Sequence, residues 1–390
     1  MMRPERVAEI DGLRAIAMTI VIAQHCALAP FGWTGVWLFY VISGYVITRT
    51  FLTEDQSIDP GPRYKAFMIR RFFRIVPVYF LYIAINAPIL LLTRRYQELH
   101  DVPFLLTFTF NWQRIFEFWP AAVRWQAFEH LWTLSVEEQF YLFYPLLFLF
   151  LTRSRYLTAT LFFIAIGPLG RYVMSSVLAS FSTDPEWMAF AVYASSFSQF
   201  DTFLIGALIA NFEYQIRARP ATAHVFAAVA VLAVTGYFGC YVLVNHAQGA
   251  TGINLIRNIF SGILFGQARE VFVYSAVTIA SATMLVFALL RKPFMRPLAS
   301  APIALVGRIS YGGYLYHALV LWMLGTGLSS PIGSLPAVQR VLVFLVAWCA
   351  TVAVAYVSFR WYEEPIIRWA RVLSARYARP AAAQWTTESS

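Results

Sequence analysis

Residues 10–29 read IDGLRAIAMTIVIAQHCALA, an apolar stretch that carries one arginine, Arg14, and one histidine, His25. An α-helix turns about 100° and rises about 1.5 Å per residue, so eleven steps return almost to the starting direction and climb about 16 Å. The two side chains are therefore predicted to point the same way. Ionisable residues inside a bilayer are costly and rarely face lipid. The stretch predicts a membrane-spanning helix with a polar stripe that runs from the membrane surface towards its middle.

The whole chain has the composition of a polytopic membrane protein. Hydrophobic residues make up 59% of its 390 residues, charged residues make up 13%, and the mean hydropathy is +0.60. These values exclude a soluble globular domain and a disordered chain. With about 20 residues to a span, the apolar stretches predict an all-α fold of about ten transmembrane helices, near residues 10–30, 34–52, 75–93, 138–152, 156–179, 194–212, 223–244, 271–290, 309–328 and 338–361.

The distribution of charge predicts the orientation of the chain. Cytoplasmic loops are enriched in arginine and lysine, and these residues concentrate in the connections on the side of both termini. Both termini are therefore predicted to be cytoplasmic. Topology and contact with anionic lipids explain the net charge of +10, so no nucleic-acid partner is expected. Residues 1–376 are predicted to form one membrane domain, and residues 377–390 a short cytoplasmic tail.

His25, Glu137 and Glu138 are the candidates for catalysis. A histidine is a suitable proton acceptor for activating a hydroxyl, although a buried histidine can also be a structural hydrogen-bond donor. The fourth span opens HLWTLSVEEQFYLFYP, residues 130–145, and places both glutamates just inside the outer side of the membrane, at the depth predicted for His25. A carboxylate that holds an imidazole is the arrangement of orienter and base used in acyl transfer. Adjacent helical residues face different directions, so the pattern leaves open which glutamate faces His25.

Arg70, Arg71 and Arg74 form a basic cluster at the predicted cytoplasmic edge of the third span. Residues 70 and 74 are one helical turn apart, and residue 71 lies beside them. Such a cluster binds phosphates through bidentate guanidinium contacts, but it is also typical of anchoring to lipid head groups. Arg14 has the same two interpretations, a ligand contact or an anchor that extends to the cytoplasmic surface.

Four further residues are candidates for an acceptor pocket: Ser43, Asp201, Tyr311 and His317. Ser43 and its glycine neighbour form a small pair that permits close helix approach or leaves room for a thin ligand. Asp201 is a lone intramembrane acid, which is a functional candidate by default. Tyr311 and His317, together with Tyr314, either bind hydroxyl groups or satisfy one another. The sequence predicts no metal site and no permanently bound cofactor.

Two regions between the predicted spans are expected to lie at the membrane surface, residues 53–77, which lead into the third span, and residues 103–128. Residues 53–66 are interpreted as a cytoplasmic turn region, and KAFMIRRFFRIVP, residues 65–77, as an interfacial helix that leads into the third span. Residues 103–128 are rich in aromatics and broken by polar groups. Their tryptophans either form an aromatic belt or belong to a segment that caps a cavity: Trp112, Trp119 and Trp125.

Seven segments, in this order, resemble the acyltransferase family 3 of integral membrane proteins, which O-acylate sugars and other hydroxyl compounds. They are EIDGLRAIAMTIVIAQH, GVWLFYVISGYVIT, IRRFFRIVP, HLWTLSVEEQFYLFYP, FDTFLIGALIA, RISYGGYLYHALV and WYEEPIIR, from residue 9 to residue 368. The chain departs from the family pattern at Trp37, where relatives often have an acid, and at Tyr316, where they often have tryptophan. The sequence also continues into no hydrolase-like domain, so a stand-alone transferase is expected.

The resemblance implies roles for the matched positions. Arg14 and His25 match the family's Arg-x10-His pair, the two glutamates match its VEEQFY acids, and Arg70, Arg71 and Arg74 match its RRxxRIxP cluster. It also implies a cytoplasmic acyl-CoA donor, with acetyl-CoA as the default, and an acceptor approached from the outer or membrane-embedded side. Direct transfer and a relay through an acyl-enzyme remain alternatives.

The predicted function is an integral membrane O-acyltransferase, most simply an O-acetyltransferase, in a bacterial cytoplasmic membrane. Its expected partners are acyl-CoA, membrane lipids and a hydroxyl acceptor, which is a polysaccharide, a lipid-linked sugar or a small metabolite. The alternative is a transporter or flippase, in which buried ionisable residues form a proton or substrate pathway. Against that alternative, the sequence has no clear internal repeat, and the arginine cluster lies at one face instead of the midplane.

Overall fold

A computed structural model of the protein describes residues 7–117, 125–257, 259–260, 266–328 and 330–377. Every regular element in these ranges is helical, which confirms the predicted all-α fold. In chain order the α-helices are α1 (Ala8–His25), α2 (Thr34–Thr53), α3 (Pro60–Leu92), α4 (Val102–Leu106), α5 (Phe110–Phe116), α6 (Gln126–Glu129), α7 (Trp132–Phe150), α8 (Arg153–Phe181), α9 (Pro185–Ala194), α10 (Phe200–Asn211), α11 (Glu213–Ala218), α12 (Thr222–Ala247), α13 (Arg269–Leu289), α14 (Ala301–Arg308), α15 (Ser310–Thr326), α16 (Ala337–Ser358) and α17 (Glu364–Ala375). Short 3-10 helices cover Tyr96–Asp101, Ser196–Ser198, Gly252–Leu255, Pro293–Ala299 and Ile332–Ser334, and a π-helical turn, Phe359–Glu363, joins α16 to α17.

Within the described ranges, 6 helices are long and apolar enough to cross a membrane: Thr34–Thr53, Pro60–Leu92, Arg153–Phe181, Thr222–Ala247, Arg269–Leu289 and the continuous stretch Ala337–Ala375. Each predicted span overlaps a helix, but several overlap helices that are shorter or more polar. Helix α1 carries Glu9, Asp11 and Arg14 within its 18 residues, and α10 has only 12 residues. The count of ten spans and the cytoplasmic placement of both termini therefore stay predictions.

The segment before the third predicted span differs from the sequence-based expectation. Helix α3 begins at Pro60 and runs without interruption for 33 residues, so the expected turn region ends earlier than residue 66 and the basic segment belongs to the spanning helix. Proline at the first helical position lacks only an N–H that the helix leaves unpaired, and its fixed φ suits the helix. Pro60 therefore starts this helix instead of breaking it.

Two compact units divide the chain. The first comprises residues 1–49, 160–308 and 327–346, and the second comprises residues 50–159, 309–326 and 347–390. In the first unit α1 packs against α14, and α12 packs against α13. A Cβ atom at Gly307 of α14 would lie 1.7 Å from the Asp11 carbonyl oxygen of α1. Only glycine allows the two backbones to approach this closely.

In the second unit α3 packs against α7 and α17. The ring of Phe73 on α3 meets the ring of Trp369 on α17 edge to face, with centroids 4.8 Å apart. At the chain's end, Lys65 Nζ lies 4.3 Å from the ring centroid of Tyr377. The remainder of the predicted tail, residues 378–390, lies outside the described residues.

The described parts of the aromatic segment, residues 103–117 and 125–128, include short helices of the second unit. Trp125 is buried, with 1% of its surface exposed, and its indole N–H donates to Asn86 Oδ1 at 3.0 Å. Trp112 donates to Gln139 Oε1 at 3.2 Å, and Trp119 lies outside the described residues. Trp125 is thus a packed residue that joins this segment to α3, and it does not contribute to an exposed aromatic belt.

Candidate active site

Helix α1 of the first unit carries both Arg14 and His25. The helix ends immediately after His25, because Ala27 adopts a left-handed conformation with φ 55°. The Leu28 N–H then donates to the Ala23 carbonyl at 2.9 Å, and the Ala27 N–H donates to the Gln24 carbonyl at 2.8 Å. These two bonds form a Schellman motif. It fixes the last helical turn, on which the exposed His25 side chain is carried.

Arg340 supports the same turn from the chain segment that begins α16. Its Nη1 donates to the Ala27 carbonyl oxygen at 2.6 Å. This contact could not be predicted from the sequence, because the two residues are 313 positions apart and no local pattern joins them. At the other end of α1, Arg14 Nη1 lies 3.9 Å from Asp11 Oδ1, so part of the charge of Arg14 is balanced within its own helix.

Ser43, on α2, is buried where that helix crosses α10. A Cβ atom at Gly44 would lie 1.9 Å from the Phe203 carbonyl oxygen, and one at Gly206 would lie 1.9 Å from the Val41 carbonyl oxygen. The two helices therefore meet backbone to backbone. Of the two interpretations of the small pair, close helix approach is the one that this packing supports.

Asp201, at the start of α10, forms an ion pair with Arg171 of α8. Arg171 Nη1 lies 2.9 Å from Asp201 Oδ2, and the side chains are 0% and 6% exposed. The same guanidinium donates to the Ser198 carbonyl at 2.7 Å, to Ser275 Oγ at 2.8 Å and to the Val271 carbonyl at 3.2 Å. Asp201 therefore belongs to a buried polar network that joins α8, α10 and α13.

The arginine cluster on α3 lies in the second unit. Arg70 Nη2 is 2.5 Å from Glu54 Oε1. The guanidinium of Arg71 lies 4.9 Å from the ring centroid of Tyr141 and 5.6 Å from that of Phe67. Arg70 and Arg71 are half-buried, whereas Arg74 is exposed. The cluster is therefore accessible from one side and held in place by aromatic and acidic neighbours on the other.

Glu137 and Glu138 lie on α7, also in the second unit, and both are half-buried. The Tyr141 hydroxyl, one turn further along α7, donates to Glu137 Oε1. Because Arg71 stacks on the same tyrosine ring, Tyr141 joins the arginine cluster to the acidic pair. The sequence analysis did not single out Tyr141, although its spacing of four residues from Glu137 is a usable signal.

Tyr311 and His317 lie on α15 of the second unit. The Tyr311 hydroxyl donates to the Ile75 carbonyl of α3 at 3.4 Å. His317 is fully buried, and its Nδ1 lies 2.5 Å from the Tyr314 carbonyl oxygen. Its ring packs against that of His130, with centroids 4.8 Å apart. The histidine therefore has Tyr314 and His130 as partners within the core of its unit, and a role of these residues in binding a hydroxyl stays a prediction.

The predicted site residues thus fall into two sets. Arg14, His25, Ser43 and Asp201 belong to the first unit, and the α3 arginines, Glu137, Glu138, Tyr311 and His317 belong to the second. Within the second unit the arginine cluster and the acidic pair are brought together. The pairing of His25 with a glutamate, and the choice between the two glutamates, stay predictions of the sequence.

Comparison with known proteins gives a match to one family. The model of the acyltransferase domain, family 3, matches residues 7–360. The O-acetyltransferase OatA of Staphylococcus aureus is 24% identical over 386 residues, which covers 94% of this chain and 58% of that protein. The peptidoglycan O-acetyltransferase OatA of Listeria monocytogenes is 29% identical over 373 residues, which covers 92% of this chain and 56% of that protein.

These relatives are longer than the aligned region, so the chain spans little more than half of their length. The aligned region takes in all the candidate site residues, because the family match runs from before Arg14 to beyond His317. No solved structure matches the chain.

Proposed function

Because the chain belongs to the acyltransferase family 3, we propose that it is an integral membrane O-acyltransferase that moves an acyl group, most simply acetyl, from acyl-CoA to a hydroxyl of a carbohydrate. The names of the relatives, O-acetyltransferase and peptidoglycan O-acetyltransferase, support the reaction type and a polysaccharide acceptor. The long apolar helices support a multi-pass membrane protein, and we assign it to the bacterial cytoplasmic membrane as part of the proposal.

The observation that carries the proposal is the contact of Arg71 and Glu137 through one side chain, Tyr141. Arginines suited to binding polyphosphate and a pair of carboxylates are thus linked through a single aromatic side chain in one unit. Acyl transfer from CoA needs both kinds of group, because the phosphates of the donor must be held while its thioester, at the far end of the pantetheine arm, reaches the catalytic residues.

On the donor side, Arg70, Arg71 and Arg74 bind the phosphates of CoA. Guanidinium groups are suited to this task because they stay charged and make bidentate hydrogen bonds to phosphate oxygens. The exposure of Arg74 and the partial exposure of Arg70 and Arg71 leave donor hydrogens accessible to a ligand. Arg14, on α1, is assigned to donor binding only by its match to the family's Arg-x10-His pair.

On the acceptor side, His25 removes the proton of the acceptor hydroxyl. The hydroxyl oxygen attacks the carbonyl carbon of the thioester, the carbon–sulfur bond breaks, and CoA leaves as the thiol with the proton. General base catalysis of this kind needs an accessible imidazole, and His25 is exposed at the end of α1. Cys26 is fully buried, which argues against it as the nucleophile of an acyl-enzyme.

The test is acyl-CoA turnover by the purified protein in nanodiscs, measured as release of free thiol with and without peptidoglycan fragments. We expect release that depends on the acceptor, and acyl groups on the recovered glycan. Thiol release without acylated glycan would mean hydrolysis, and a different acceptor class would then be tried. If a well-folded preparation releases no thiol from several acyl-CoA donors and also fails to bind CoA, the result contradicts the proposal.

We expect Arg70→Ala combined with Arg71→Ala to weaken donor binding. Each charge-assisted hydrogen bond contributes about 1.5–3 kcal/mol, so KM for acyl-CoA should rise at least about tenfold, with a smaller change in kcat. The matched control is Arg153→Ala with Arg155→Ala, which removes the same charge from an exposed stretch of the same unit. If both pairs shift KM equally, the α3 cluster only contributes to the overall positive potential.

We expect Tyr141→Phe to lower kcat and to leave KM for the donor unchanged. The phenyl ring still supports Arg71, but the hydrogen bond that holds Glu137 is lost. A bond to a charged group of about 1.5–3 kcal/mol corresponds to a loss of about tenfold to a hundredfold. The control is Tyr144→Phe on the same helix, whose hydroxyl forms a hydrogen bond with the Tyr156 hydroxyl of α8 at 2.8 Å. A raised KM with normal kcat would show that the tyrosine acts through Arg71 alone.

A further inference from the structure

Glu54 lies between two arginines of the second unit. Its Oε1 is 2.5 Å from Arg70 Nη2, and its Oε2 is 3.4 Å from Arg63 Nε. One carboxylate therefore serves the first arginine of the α3 cluster and a second arginine, seven residues earlier, near the start of α3. Neither the sequence analysis nor the family match assigns a role to Glu54 or Arg63.

The two ion pairs of Glu54 differ in how firmly their arginines are held. Arg63 is buried, and its other nitrogens donate to the Phe51 carbonyl at 2.8 Å and to Gln56 Oε1 at 3.2 Å. The Arg70 side chain is 28% exposed and belongs to the surface proposed to receive phosphate. The Arg63 side chain is thus anchored to the backbone, whereas the Arg70 side chain can be reached by an anion from solvent.

We propose that Glu54 is a displaceable counter-ion. A phosphate group replaces Glu54 as the partner of Arg70, and the Glu54 carboxylate remains paired with Arg63. The inference rests on the proposed function, because it assigns the arginine cluster to phosphate binding. When the phosphate leaves, the carboxylate returns to Arg70. The exchange leaves no charge without a partner at any stage, which avoids the cost of an uncompensated, partly buried ion.

This arrangement makes Glu54 a determinant of specificity. An anion must compete with a carboxylate that is already in place, so a ligand with a single phosphate gains little from Arg70. CoA carries several phosphates, which engage neighbouring arginines at the same time and repay the loss of the internal pair. Specificity of this kind comes from a repulsive element as well as an attractive one.

The test compares CoA binding by the wild-type protein, Glu54→Gln and Glu364→Gln in nanodiscs of zwitterionic lipid. Glutamine keeps the size and an acceptor oxygen for Arg63 but loses the charge. Glu364 is the matched control, since it bridges two exposed arginines of the same unit, Arg360 and Arg368, at 2.7 Å each. We expect E54Q to lower Kd for CoA about three- to tenfold, in the range of partly exposed pairs, and to create competition by inorganic phosphate that the wild type lacks.

Two further variants keep the result interpretable. In Arg70→Ala the effect of E54Q should disappear, because Glu54 acts through that arginine. If E54Q does not fold, Glu54→Gln with Arg63→Gln frees Arg70 without leaving a buried arginine unpaired, and the same tightening is expected. An unchanged or higher Kd in the folded variants, or equal tightening in E364Q, overturns the inference.

The phosphate has two sources, a soluble CoA or a lipid head group, and anionic lipid separates them. Tightening of CoA binding in zwitterionic discs assigns the exchange to CoA. If the wild type binds CoA and the Kd of E54Q for CoA is not lower, this inference fails and the proposed function stands. If neither protein binds CoA, the proposed donor is wrong. The amount of phosphatidylglycerol that each variant retains then tests the inference. More lipid on E54Q than on E364Q supports displacement of Glu54 by a lipid phosphate, and equal amounts overturn the inference.

Discussion

The variant His25→Ala is expected to fold normally and to lose acyl transfer by about a hundredfold to ten-thousandfold, the contribution usual for a positioned general base. The side chain is exposed at the last residue of α1, so its removal creates no cavity in the core. The turn that follows is held by backbone bonds from Ala27 and Leu28 and by Arg340, none of which involves the imidazole. The measurement is the rate of acylated glycan formation, with the thermal unfolding midpoint recorded on the same samples.

Two comparisons separate proton transfer from other roles of His25. His25→Gln can form hydrogen bonds but does not accept a proton at neutral pH, so it should be as inactive as the alanine variant. The wild-type rate should fall as the pH falls, because a protonated imidazole is no longer a base, and the residual rate of the glutamine variant should lack this dependence. His224→Ala, an exposed histidine on α12, is the control. Full transfer by the folded alanine variant would contradict the assignment.

The sequence predicted the helices of this protein well because hydrophobicity and length determine where a chain can span a membrane. The prediction of helix boundaries was less accurate where one residue type can either end a helix or begin one. Proline ends many helices, yet Pro60 begins α3, and Pro77 and Pro88 lie inside it. The last part of the expected turn region, residues 60–66, and the interfacial helix expected before the third span are therefore part of one continuous helix.

The candidate site was predictable where its residues share a helix. Arg14 with His25, the α3 arginines, and the two glutamates of α7 were all recognisable from local spacing and from the family motifs. Contacts between distant segments were not. Arg340 reaches Ala27, and Glu54 reaches Arg70, from parts of the chain whose local sequence gives no sign of the pairing. Only the folded chain brings such partners together.

Asp201 illustrates the same limit with a different consequence. A lone acid inside a span is a functional candidate from sequence, but its partner, Arg171, is 30 residues earlier in the chain and is equally inconspicuous. The structure joins them in a network that also includes the Ser198 carbonyl and Ser275. The structure therefore changes what is first expected of Asp201: it helps to hold three helices of the first unit together, while the ligand contact stays a prediction.

This change gives a prediction about stability: Arg171→Met should destabilise the protein by about 3–5 kcal/mol. Removing one partner of a buried ion pair leaves the other charge buried and uncompensated, and the side chain of Asp201 is only 6% exposed. Relief by rearrangement is limited, because Gly167 packs so closely that even a Cβ atom there would lie 2.5 Å from Asp201 Oδ2. The measurement is the midpoint of unfolding in a mixed-micelle titration, compared with wild type.

The double variant Arg171→Met with Asp201→Asn separates the ion pair from the rest of the network. It removes both charges, so it should recover part of the lost stability, while the Ser198 and Val271 carbonyls and Ser275 still lack the donors that Arg171 supplied. Asp201→Asn alone tests the ligand interpretation. A role in stability lowers the unfolding midpoint and leaves KM for the acceptor unchanged in the surviving folded fraction. A raised KM at an unchanged midpoint would instead return Asp201 to the acceptor pocket, because a ligand contact can be lost without cost to the fold, whereas one partner of a buried ion pair cannot.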